Sequence, residues 1–129
     1  MNKGIKVIID GIEYKGHLDD SRSPNTTMEL LNKLPVEGTP VKWGGEIYFD
    51  VDISQDHENA TEDIDVGDIA YWPPGGVLCI FFGKTPISTS DKPKPASDVN
   101  VVGHLDNAEV LSKFQSISHV RIEIEDARS

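Results

Sequence analysis

The sequence predicts a mostly β protein: a closed antiparallel barrel of eight strands capped by two short helices. Three observations carry that expectation. Short runs of β-branched and aromatic residues recur along the 129 residues, punctuated by Gly, Pro and Asp turn signals. Only two stretches show helical spacing, and helices this few and short cannot cover both faces of a parallel sheet. So many short strands would expose edges unless the sheet closed on itself. The length suits a single domain spanning 1–129.

Gly4 to Asp10 is β-branched and forms the first strand; Asp10-Gly11 is a hairpin dipeptide, and Glu13 to Leu18 is the second strand. The polar stretch 19–24 breaks the run. A helix follows, opened by the capping-box pair Thr26 and Glu29 and carrying Met28, Leu30, Leu31 and Leu34 on one face, with Pro35 ending it. Gly44-Gly45 joins strand-like runs over 38–43 and 46–52. In the second run Ile47, Phe49 and Val51 alternate with Glu46, Tyr48 and Asp50, the pattern of a strand with one buried and one polar face. Residues 52–65 are polar, acidic and without periodicity.

Residues 66–86 form the densest apolar and aromatic stretch. Ile69–Trp72 and Val77–Phe82 flank Pro73-Pro74-Gly75-Gly76 and read as a hairpin buried on both faces. A cis Trp72–Pro73 bond is an expectation for its turn. Residues 87–98, rich in Ser, Pro and Lys, read as a mobile surface loop. Val99–Leu105 is a further strand, a second helix opens at 106–109 with Val110, Leu111 and Phe114 on its apolar face, and His119–Glu125 alternates as the last strand.

With 22 acidic and 12 basic residues, the formal net charge of −10 disfavours nucleic acid and anionic membrane surfaces as partners, because both need a basic patch. No apolar run is long enough to span a bilayer, and the first residues, without an extended apolar stretch, lead to the expectation of no signal peptide. A single cysteine, Cys79, excludes an intrachain disulfide, and a cytoplasmic location fits.

The runs Gly67-Asp68-Ile69-Ala70-Tyr71-Trp72-Pro73-Pro74-Gly75 and Cys79-Ile80-Phe81-Phe82-Gly83-Lys84-Thr85-Pro86 resemble the signature of a family of small prokaryotic cyclophilin-like proteins, long catalogued as a domain of unknown function. The order of elements resembles the cyclophilin-like barrel across the chain, with one helix after the second strand and another before the last. The resemblance implies a fold more than an activity. Cyclophilins proper are peptidyl-prolyl isomerases that use an arginine on the barrel face, near a Phe-x-x-Gln arrangement, with aromatics around a proline pocket. Here Arg22, Arg121 and Arg128 all lie outside 38–52, and Phe49 is followed by Asp50, Val51 and Asp52. A non-catalytic binding module is therefore the leading expectation, and a divergent isomerase the alternative.

The expected ligand site is a small pocket at the barrel mouth for a small molecule or peptide, built from Trp43, Glu46, Tyr48, Tyr71, Trp72 and Phe82. Trp and Tyr carry a polar handle on an apolar body and suit half-wet pockets. Glu46 and Asp50 share a strand face and could work as acid and base, but a solvated acidic face is the plainer reading. Asp50, Asp52, Ser54, Asp56 and Glu58 alternate like a calcium loop. Gln55 stands where that loop needs glycine and Thr61 where it needs a bidentate carboxylate, so an EF-hand is rejected. His17, His57, His104 and His119 lack zinc-site spacing. Cys79, in an apolar run, reads as a buried, inert thiol. No phosphate-binding glycine loop occurs, and neither metal nor cofactor is expected.

Overall fold

The structure, a computed structural model, describes residues 1–125. Arg128 lies outside them. Nine strands form one antiparallel sheet: β1 (Asn2–Ile9), β2 (Ile12–Asp19), β3 (Val36–Gly38), β4 (Val41–Trp43), β5 (Glu46–Asp50), β6 (Asp68–Trp72), β7 (Val77–Phe81), β8 (Asn100–Leu105) and β9 (Val120–Ile124). Helix α1 covers Pro24–Lys33 and a 3₁₀ helix covers Ala108–Lys113. The strand order is β3-β9-β1-β2-β8-β6-β7-β5-β4.

This is an open, curled half-barrel, which corrects the expected closed eight-stranded barrel. The difference lies at Thr39-Pro40. The single run expected over 38–43 is two short strands, β3 and β4, at opposite edges of the sheet. Pro40 has no N–H to give a ladder. Only two residues separate Gly38 from Val41, so the edges curl to within about 11 Å of each other, the reach of three extended residues. The covalent chain brings the edges together without hydrogen bonds joining them.

Strand alternation divides the apolar residues between two clusters. Ile5, Val7, Ile9, Ile47, Phe49, Ile69, Tyr71, Leu78, Ile80 and Val102 fill the inside of the curl. Ala70, Val77, Cys79, Phe81, Val99 and Val101 form a second cluster on the outer face of β5–β8, with Ile64 of the 52–65 segment and with Tyr48 and Trp72 packed against it. The 66–86 hairpin is thus buried on both sides, as its composition predicts.

The helix starts differently from expectation. Pro24 occupies its first turn, where a missing N–H costs nothing. Thr26 and Glu29 do not form a capping box. The carboxylate of Glu58 accepts the N–H groups of Asn25 (3.0 Å) and Thr26 (2.8 Å) and the Thr26 hydroxyl (2.8 Å). Buried Asn100 ties this cap to β8. Its Oδ1 accepts the Glu58 N–H at 2.8 Å, and its Nδ2 donates to Thr26 Oγ1 and the Asp56 carbonyl. The segment 52–65 has no strand of its own, yet it is fixed by this network and by a bridge from Thr61 to Val99.

Candidate functional site

The outer face carries a cavity of about 330 Å³, lined by Trp43, Glu46, Tyr48, Trp72, Gly75, Val77, Cys79, Pro95, Ala96 and Val99. The register explains the assembly. Trp43 pairs with Glu46 across β4 and β5, Tyr48 with Cys79 across β5 and β7, and Trp72 with Val77 across the hairpin. Outward parity on each strand therefore projects these side chains to one side of the sheet.

Four contacts fix the frame. Gly45 lies directly on the backbone of Gly83, so close that a Cβ there would collide with it; Gly45 N–H donates to the Lys84 carbonyl at 2.7 Å. Opposite, the Trp72 indole N–H donates to Ser97 Oγ at 2.7 Å, and the Thr85 hydroxyl donates to the Lys94 carbonyl at 2.6 Å. The segment 93–97, expected as part of a mobile loop, is thereby pinned as a wall of the cavity, with Pro93 and Pro95 buried.

Glu46 is the unusual group. It is 5% exposed, and its Oε1 is buried with no hydrogen-bond partner among the described residues. Burial pushes its carboxyl up to about 7, opposed by a hydrogen bond with the Cys79 thiol. Cys79 is raised well above the ordinary thiol range by its own burial and by Glu46. This thiol is protonated and not a nucleophile. Among the described residues, no Lys, Arg or His lines the cavity.

Of the six residues expected at the site, the structure gathers Trp43, Glu46, Tyr48 and Trp72. Tyr71 and Phe82 belong to the inner cluster instead. Tyr71 is 2% exposed, and its hydroxyl donates to the Ile53 carbonyl at 2.6 Å, so its polar handle is satisfied within the core. The cavity also lies on the outer face rather than at a barrel mouth. The hairpin turn is closed by Trp72 carbonyl bonds to Gly75 and Gly76 N–H, and Trp72–Pro73 is trans; the cis bond is Leu34–Pro35. Glu46 and Asp50 do not form an acid–base pair. They stand four residues apart on β5, about 13 Å, with Glu46 buried and Asp50 exposed. The expectation of a solvated face therefore fails at Glu46. Glu58, last of the calcium-like series, is turned to the helix cap. Sequence reasoning missed Gly75, Val77, Cys79, Pro95, Ala96 and Val99 as lining residues. The parity of Cys79 with Val77 was a usable signal; Pro95 and Ala96 gave none.

His17, Asp19, Arg22, Asp68 and His104 line a smaller polar pocket of about 140 Å³. No group of three or more His, Cys, Asp or Glu among the described residues is arranged to hold a metal. No helix there is long and apolar enough to cross a membrane.

The fold is that of a small β protein, a curled antiparallel sheet with two short helices. The chain belongs to the cyclophilin-like family, whose model matches residues 3–123. A solved structure of similar architecture is the solution structure of a hypothetical protein from Archaeoglobus fulgidus. It is 35% identical over 96% of this chain and 95% of that one, with a TM-score of 0.79. No curated protein matches the chain.

Proposed function

We propose that this protein is a binding module whose outer-face cavity takes a small molecule, or one side chain of a peptide, that is largely apolar and carries a single hydrogen-bonding or charged group. One observation carries the reading: a mostly apolar, aromatic-walled cavity of about 330 Å³ encloses one carboxyl whose Oε1 has no partner. A buried polar atom left unpaired costs about 1–3 kcal/mol. A ligand that supplies the partner recovers that cost and gains orientation from it. The volume is at the small end of ligand sites, which favours a compact ligand.

The isomerase alternative gains no support from the cavity, since none of the described residues lining it is an arginine. A protease-coupled assay on a Xaa-Pro peptide separates the two readings, with no acceleration expected. A fragment titration followed by amide shifts tests the binding module directly. Perturbations are expected at Trp43, Glu46, Tyr48 and Trp72, and Tyr71→Phe should leave ligand affinity unchanged. A fragment set that perturbs none of these residues contradicts the reading.

A further inference from the structure

We propose that the cavity beside Glu46 is an organic-cation site, in which an alkylated ammonium group lies among the rings of Trp43, Tyr48 and Trp72 and against the Glu46 carboxylate. This deepens the binding-module reading and rests on it. In an apolar enclosure a carboxyl stays ionised only with a counter-charge beside it and otherwise holds its proton, and the cavity wall supplies no counter-charge. Its ten lining residues include no Lys, Arg or His. Three of them are aromatic. Trp, then Tyr, offers the most negative ring face to a cation. The Trp72 ring is held by its bond to Ser97, so its face is fixed before any ligand arrives. The net charge of −10 draws cations toward the surface.

Hydrogen-bond capacity narrows the class. A primary ammonium brings three donors into the site. Glu46 is the cavity's one carboxylate, and the rest of the wall is mainly apolar. A quaternary or heavily alkylated ammonium brings no donors, or one, and leaves none stranded. The titratable groups facing Glu46 are Cys79 on β7 and Tyr48 on its own strand; β4, β6 and the 95–96 wall contribute Trp43, Trp72, Pro95 and Ala96, which carry no charge. Cation binding must therefore favour ionised Glu46. Because burial holds this carboxyl at about 7, binding below that pH releases a proton, and affinity rises with pH.

Both tryptophans of the chain line the cavity, so intrinsic fluorescence reports on it. The test compares choline with 3,3-dimethylbutan-1-ol, which has the same shape without the charge. Choline should shift the fluorescence saturably. Its affinity should rise by up to about tenfold per pH unit below pH 7 and level off above it, and at pH 8 it should exceed that of the alcohol by at least about tenfold. Glu46→Gln, with folding checked by circular dichroism, should reduce the preference and remove its pH dependence while sparing the alcohol. Trp43→Leu, on the edge strand, should weaken choline more than the alcohol. An alcohol that binds as well as choline at pH 8 overturns the cation proposal and leaves the binding module standing. No response to either compound overturns both.

Discussion

Glu46 faces outward on β5, but the Trp43 side chain on one flank and Cys79 on the other leave it 5% exposed. Its carboxyl, raised from 4.5 to about 7, binds a proton in the folded chain that the unfolded chain has already released. Between these two values the folded state holds more protons, so stability falls as pH rises. The full effect above pH 7 is about 3 kcal/mol. The midpoint of thermal unfolding should drop between pH 5 and 8, and Glu46→Gln should flatten that drop and be the more stable protein at pH 8. A wild-type profile that stays flat or rises across this window contradicts the assignment. The alternation of β5 makes the outward direction of Glu46 legible in the sequence, but not its burial. Nor does the sequence show the cavity around it, whose wall includes Pro95 and Ala96, roughly fifty residues later, which carry no periodic signal.

At the scale of elements, α1 shows how a local motif can yield to a distant partner. Thr26-x-x-Glu29 has the spacing of a capping box, but Pro24 moves the helix start upstream. Its first free N–H groups then meet Glu58, thirty-two residues beyond Thr26. Burial tends to raise the Glu58 carboxyl, but the bonds from Thr26 and Asn25 outweigh it and hold it below its ordinary value. Its contribution is present above the unfolded carboxyl range and is lost as pH falls through the lowered value. Glu58→Gln should cost about 1 kcal/mol at neutral pH, with faster hydrogen exchange confined to the first turn of α1 and to 56–61. Unchanged stability and exchange would show that the helix is capped by solvent. The hairpin of β6 and β7 was legible because Ile69–Trp72 and Val77–Phe82 are unbroken apolar and aromatic runs. The 52–65 segment was not, because its tertiary anchors, Ile53, Ile64 and Glu58, follow no period.

For the whole molecule, the strand count was nearly readable and the closure was not. Sequence patterns identify strands, but the split at Thr39-Pro40 depends on β3 pairing with β9 and β4 with β5, a choice made by topology. An open curl leaves one side of β3 and one of β4 without ladder partners. Amide exchange should therefore be fastest, among strand residues, in 36–38 and 41–43, and slowest in the inner-cluster positions of β1, β6 and β7. Protection of both edge strands equal to that of β7 would indicate a ladder that closes the barrel. Because β4 carries Trp43, opening at this edge is also the softest route into the cavity, and ligand binding should slow exchange there.

The functional reading depends on one carboxyl being enclosed with its Oε1 unpaired, and this can be observed directly. A carboxyl-carbon NMR titration of Glu46, without and then with choline, should give a midpoint near 7 in the free protein and a clearly lower one when choline is bound. A midpoint near 4.5 in both states would mean that Glu46 is solvated, and would contradict both the enclosed cavity and the site built on it.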